Sequence, residues 1–169
     1  MMKIIWGELK MDNYIIDMII ENDIDKILDI YNSNKSFLEN HMGITAVSKD
    51  FIVDEIEKMK SIGFSSLVIK NNEGNIVGIC DFKMEDEVYL SLLMIDAKLK
   101  GYGLGSMIYN QLEQIFKAKN ANRIRIDVVY DYEENVLGFW EKQGFEPYEK
   151  IQLEWNGYKS KAVKMYKTI

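Results

Sequence analysis

With 169 residues, 47% of them hydrophobic and 28% charged, the chain has the size and composition of one soluble globular domain spanning residues 1–169, without low-complexity or disordered tracts. A formal net charge of −6 argues against a surface that tracks nucleic-acid phosphates; it either favours a cationic partner such as an amine or simply keeps the chain soluble. A single cysteine, Cys80, excludes an internal disulfide and a cysteine-based zinc site, and with no apolar run of membrane-spanning length and no signal peptide the expected location is the cytoplasm.

Taken in order, residues 1–11 predict a short leading strand or arm around Ile4, Ile5 and Trp6. Residues 14–20 read as the first full strand. Asn22 or Asp23 can cap a helix in which Ile24, Ile27, Leu28 and Tyr31 recur at helical spacing, until Asn32-Ser-Asn-Lys35 interrupts it. A second short helix carries Phe37, Leu38, His41 and Met42 up to Gly43. Ser48 suits the N-cap of a third, whose Phe51, Ile52, Glu55, Ile56 and Met59 repeat at three- and four-residue steps before Gly63. Strands at 65–70 and 75–84 join through Asn71-Asn-Glu-Gly74, a hairpin signal, and the acidic turn Glu85-Asp-Glu87 leads onward.

Residues 88–107 are the organising stretch: an apolar strand, a loop with Gly101, Gly103 and Gly105, then the start of a long helix. Glycines before a helix expose backbone N–H groups with no Cβ in the way. The helix dipole adds about half a positive charge there, so the pair makes a phosphate or pyrophosphate site. Spacing excludes the dinucleotide fingerprint, because Ser106 stands where its third glycine belongs, and the Walker loop, which needs Lys-Ser/Thr after its last glycine.

The helix after the loop aligns Leu104, Ile108, Leu112 and Ile115 on one face, with Glu113 and Lys117 in the supportive i,i+4 order, and ends at Asn120-Ala-Asn122. A strand at 123–130 follows, then a helix at 134–143 closed by Gly144. Strands at 150–155 and 162–167 turn at Asn156-Gly157. A strand, crossover helix and strand of this length make a parallel pair, here 89–95 with 124–130. The predicted fold is a mixed α/β sheet, mostly antiparallel with one central parallel seam, with its ligand at the carboxyl ends of the parallel strands.

Lys100-Gly-Tyr-Gly-Leu-Gly105 resembles the Arg/Gln-x-x-Gly-x-Gly/Ala signature of the GNAT superfamily of acetyl-CoA-dependent N-acetyltransferases. Asn135-Val-Leu-Gly-Phe-Trp-Glu-Lys-Gln-Gly-Phe145 is similar to that family's late helix motif, and residues 163–167 to its last strand. The resemblance implies helices on both faces of the sheet and acetyl-CoA as co-substrate with no metal. Main-chain groups of Leu93 and Ile95 would bind the pantetheine arm like an added strand. Lys100, Gly101, Tyr102, Gly103, Leu104, Gly105 and Ser106 would hold the pyrophosphate, with Asn135 and Trp140 also toward the cofactor. The strands should splay beyond the seam to admit the thioester, and the N–H of Ile95 would face the developing oxyanion.

Three departures from the family pattern stand out. Lys100 replaces an arginine or glutamine and offers a point charge rather than a fork. Ala97 stands where proline is common. Trp140 occupies the position of a tyrosine acid, and an indole N–H supplies no proton at neutral pH, which leaves water, Tyr130, Tyr132 or an unassisted thiolate. For the general base, Tyr89 and Ser91 lie where some relatives carry a glutamate, and Asp127, Glu85 and Glu87 are further choices; Asp127 can equally pair with Arg125. His41 sits where the family often lines its acceptor pocket.

The expected function is acetyl transfer from acetyl-CoA to a primary amine, small-molecule or peptide, by direct attack, since no Cys-His or Ser-His pair suggests a covalent intermediate. The alternatives are a catalytically silent CoA-binding sensory or regulatory module, motivated by Trp140, and an interaction domain whose glycine loop is only a turn. The edge strands leave room for a homodimer.

Overall fold

In the computed structural model, which describes residues 9–11 and 14–169, the chain runs β1 (Leu9–Met11), β2 (Tyr14–Met18), α1 (Ile24–Ser33), α2 (Lys35–Met42), α3 (Lys49–Ser61), β3 (Ser65–Asn71), β4 (Ile76–Met84), β5 (Val88–Ile95), α4 (Leu104–Ala118), β6 (Arg123–Val129), α5 (Leu137–Lys142), β7 (Glu146–Trp155) and β8 (Tyr158–Thr168). The strands form one sheet in the order β1-β2-β3-β4-β5-β6-β8-β7, antiparallel throughout except between β5 and β6. The arm expected around Ile4, Ile5 and Trp6 lies outside the described residues.

Helices cover both faces, as the fold class requires. On one face α4 buries the predicted stripe of Leu104, Ile108, Leu112 and Ile115, joined by Tyr109 and Phe116, against Leu67, Cys80, Phe82, Leu90 and Ile126. On the other, Ile27 and Ile30 of α1, Leu38 of α2 and Ile52 of α3 pack on Val68, Ile79, Leu92 and Met94. Each such side chain contributes roughly 1.5–3 kcal/mol by leaving water.

Strand β5 serves both cores because it changes face. Phe82 pairs with Leu90 but Asp81 with Leu92, so Ser91 is an extra residue and forms a bulge. Val88 and Leu90 therefore enter the α4 core, whereas Leu92 and Met94 enter the core under α1–α3. Gly78 lets β4 and β5 approach here, since a Cβ on it would lie 2.7 Å from the Met94 carbonyl oxygen.

Local chemistry sets most boundaries. Ser48 Oγ accepts from Phe51 N–H at 3.2 Å and starts α3. Asn156 and Gly157 both take positive φ, as a two-residue hairpin turn demands. Strand β7 begins earlier than expected, at Glu146, because Pro147 lies on the sheet edge beside a register shift, where its missing N–H is harmless. Helix α5 begins later than expected, because Asn135 holds 130–135 as a loop, donating to the Tyr130 and Tyr132 carbonyls and accepting from Leu137 N–H.

Glu113 ties α4 to β8. It is buried, yet accepts from Lys117 Nζ at 2.8 Å, from Lys167 Nζ and from Tyr109 Oη at 2.7 Å. Burial pushes its pKa up, but these donors overcome that and hold it down at about 2. A depressed carboxylate contributes stability that is present above the unfolded value of 4.5 and is lost as pH falls toward 2. Lys167→Met is expected to lower stability by about 2 kcal/mol at pH 7 in urea titrations, with the deficit shrinking below pH 4.5. A deficit independent of pH would assign the loss to packing alone.

Candidate active site

The parallel seam is shorter than expected. Only Val88 with Ile124 and Tyr89 with Arg125 are paired. Beyond them β5 stays with β4, β6 stays with β8, and a gap opens between β5 and β6. The Asp96 N–H donates to the Val77 carbonyl of β4 at 2.9 Å. Main-chain groups alternate along a strand, so those of Leu93 and Ile95 point the other way, toward the gap. Two expected binding residues thus carry unpaired strand amides in the middle of a sheet.

The glycine loop closes the top of β5. Gly101 and Gly103 have φ of +88° and +76°, and a Cβ on either would meet nothing within 4 Å, so the loop's outer surface is open. Gly103 occupies the N-cap of α4 with no side-chain cap, and the first helical bond is made by Met107 N–H to the Gly103 carbonyl. The amides of Leu104, Gly105 and Ser106 are left at the positive end of a fifteen-residue helix. Tyr102 stands exposed beside them. Partial burial lowers the pKa of the Lys100 amine, against the effect of Glu134. Ser106 Oγ accepts from Gln143 Nε2 at 2.9 Å, which ties α4 to α5.

The remaining catalytic candidates lie in the α4 core and at the base of the seam. Trp140 packs edge-on against Tyr109, Phe139 and Phe145, inside the α4 core. Asp127 is engaged by Arg125 through Nε and Nη2 at 3.1 and 2.7 Å and accepts from Tyr89 Oη at 2.9 Å. Its oxygens are taken by the ion pair that sequence spacing allowed. Burial and the neighbouring Asp127 push the Tyr89 phenol far above its usual range. Glu85 and Glu87 pair with Lys83 and Arg123 at the other end of β5 from the glycine loop.

On the α1–α3 side of the sheet, His41 stacks on Phe37 at 4.1 Å and meets the edge of Tyr132 at 6.0 Å. Burial lowers its pKa to about 4, so it is neutral near pH 7. Its Nδ1 lies 3.0 Å from the Phe37 carbonyl, which makes Nδ1–H the donor and leaves Nε2 with its lone pair.

A clamp at the end of β5 has no sequence motif. Buried Asn34 donates through Nδ2 to the Ile95 carbonyl at 3.0 Å and to the Ile30 carbonyl at 2.8 Å. Ser33 Oγ accepts from Ala97 N–H at 3.0 Å, and Lys26 pairs with Asp96 at 3.0 Å. The break between α1 and α2, read from sequence as an interruption, is where these side chains fix the peptides on either side of Asp96.

A mixed α/β sheet whose central strand parts from its parallel neighbour beside an uncapped helix N-terminus is the arrangement to set against known proteins. Residues 24–145 match the acetyltransferase (GNAT) family, and the chain belongs to it. An uncharacterized N-acetyltransferase of Acanthamoeba polyphaga mimivirus is 24% identical over 148 residues, 83% of this chain; the chain spans about a third (33%) of that relative's length. The fold is similar to that of the spermidine N-acetyltransferase of Vibrio cholerae, solved with CoA and spermine (TM-score 0.67, 16% identity, 92% of this chain and 95% of that one). It is similar also to a ribosomal-protein-alanine N-acetyltransferase of Brucella melitensis (TM-score 0.66, 20% identity, 91% and 99%). Among the described residues no helix is long and apolar enough to cross a membrane, and no group of three or more His, Cys, Asp or Glu could hold a metal.

Asp81 was not singled out by sequence, although a carboxylate inside the apolar run of β4 was a usable signal. Burial lifts its pKa from 3.8 to about 6; Ser66 nearby opposes this and the charge on Glu55 adds to it. The folded chain therefore holds this proton more tightly than the unfolded one. The linked stability is complete below about pH 3.8 and is lost as pH rises through about 6. Asp81→Asn is expected to be more stable than the wild type at pH 7.5, by on the order of 1–3 kcal/mol in urea titrations, with the difference vanishing near pH 4. An advantage of equal size at both pH values would show that ionisation of Asp81 is not its source.

Proposed function

We propose that the chain transfers acetyl from acetyl-CoA to a primary amine, by direct attack of the neutral amine on the thioester. The observation that carries this reading is the parting of β5 from β6 after two residue pairs, next to the uncapped amides of α4. The amides from Gly101 to Ser106, with Lys100 as a point charge and Tyr102 beside them, take the pyrophosphate. Leu93 and Ile95 offer main-chain groups to the pantetheine arm, as a sheet edge does to an added strand. The Ile95 carbonyl is already held by Asn34, so its N–H remains for the oxygen that gains charge during transfer.

The side chains around the gap have supporting roles in this reading. Asn135 fixes the loop between β6 and α5 by holding the Tyr130 and Tyr132 carbonyls, and Trp140, packed in the α4 core, braces α5 behind it. Asp127 and Tyr89 brace the base of the cleft, where the two strands part. With Asp127 engaged and no acid at Trp140, the amine arrives neutral, its proton passes to solvent, and the thiolate leaves without a dedicated acid. Burial of Trp140 also favours a second reading, a CoA-binding regulatory module without turnover.

Calorimetric titration of acetyl-CoA is the first test, on the wild type and on Gly101→Ala/Gly103→Ala. Methyl groups at these positions project into open space, so the variant bears only backbone strain of about 1–2 kcal/mol each. Binding at least about tenfold weaker in the variant is expected, equivalent to about 1.4 kcal/mol. No binding by the wild type would sink both readings. Binding without steady-state release of CoA thiol across an amine library would leave the regulatory one.

A further inference from the structure

A second polar site lies away from the gap. Between α1 and α3 above and β3 and β4 below is a cavity of about 10 Å³, room for one water-sized group. Asp81 and Ser66 form its floor, Glu55 of α3 and Tyr31 of α1 its walls, and the half-buried aliphatic side chains of Ile19, Ile56 and Met59 its rim. Ser66 Oγ is shut off from solvent and makes no well-formed hydrogen bond, although it lies close enough to Asp81 to favour the charged form of that carboxylate. A buried hydroxyl in that state marks a place where a partner is missing.

The charges at the cavity are as one-sided as the hydrogen bonding. No lysine, arginine or histidine lines it. Glu55 has Lys58 at 3.9 Å, but that lysine lies out on the exposed flank of α3, its side chain 59% exposed. A bound water would satisfy Ser66 and leave two carboxylates facing each other. An anion would worsen their repulsion. A small cation with several N–H donors satisfies the carboxylates and the hydroxyl together, through charge-assisted bonds.

We propose that this cavity binds the ammonium head of a primary alkylamine, with its hydrocarbon chain lying along Ile19, Ile56 and Met59. An ammonium is close to a water molecule in size and carries three donors, matched by Asp81, Glu55 and Ser66. The rim supplies the apolar surface that an alkyl chain needs. Strand β5 separates Asp81 on β4 from the gap, so this is a site distinct from the cleft and does not depend on acetyl transfer.

The test is solution NMR of the isotope-labelled protein, titrated with n-butylammonium chloride and, separately, with n-butanol as its neutral counterpart. Saturable shifts of the Ser66 and Asp81 amides are expected with the cation and not with the alcohol. Affinity should fall about tenfold or more in Asp81→Asn. That variant is expected to gain stability, so a loss of binding there is not unfolding; Glu55→Gln, on a partly exposed helix position, should weaken binding as well. The proposal is overturned by no saturable shift in the wild type, by an equal response to butanol, or by undiminished binding in Asp81→Asn, which would place the amine elsewhere. Acetyl-CoA titrated into the same samples reports on the cleft separately, so either idea can fail without the other.

Discussion

The constraint on which the rest of the structure depends is that β5 sits in the middle of a sheet yet pairs along only one of its edges beyond Tyr89. Strand amides and carbonyls left unpaired inside a protein are costly, and a chain that keeps them must hold them rigidly or fill them with a ligand. The surrounding devices follow from that requirement. The bulge at Ser91 turns the far half of β5 into the α1–α3 core, and Gly78 allows β4 to support it closely. Asn34, Ser33 and the Lys26–Asp96 pair fix its last peptides from the opposite side. The glycine loop then turns the chain sharply into α4, whose free N-terminal amides face the same end of the cleft.

Buried charge is handled in two opposite ways. Glu113 has a donor for every direction and is held ionised, so it fastens α4 to β8. Asp81 is closed in without a cation and is pushed toward its neutral form, a conflict at pH 7 that folding alone has no use for. Local conflicts of this kind concentrate where a protein is built to receive something. The Asp127–Arg125–Tyr89 group shows the contrast, because a carboxylate that looked available in sequence is neutralised by its own strand neighbours.

Much of the fold, and the glycine loop that opens α4, could be read from periodicity and turn chemistry, because both act over a few residues. The α4 stripe, the Ser48 cap, the Asn156-Gly157 turn and the glycines before α4 depend only on neighbours in the chain, and each appears as expected. Strand β7 and helix α5 start away from the positions that local patterns predict, for the same reason in reverse. Pro147 is tolerated only because β7 is an edge, and Asn135 holds a loop through carbonyls it reaches only once the chain has turned.

What the sequence by itself determined is the order of elements, the parallel seam and the glycine loop before α4, since these follow from hydrophobic spacing and glycine conformation. What only the tertiary structure decided is how those parts are used. The length of the seam, the burial of Trp140, the hydrogen bond from Tyr89 to Asp127, the clamp made by Asn34 and the isolation of Asp81 each join residues far apart in the chain. Such contacts exist only after the sheet has brought distant segments within hydrogen-bonding reach, and no local pattern encodes them.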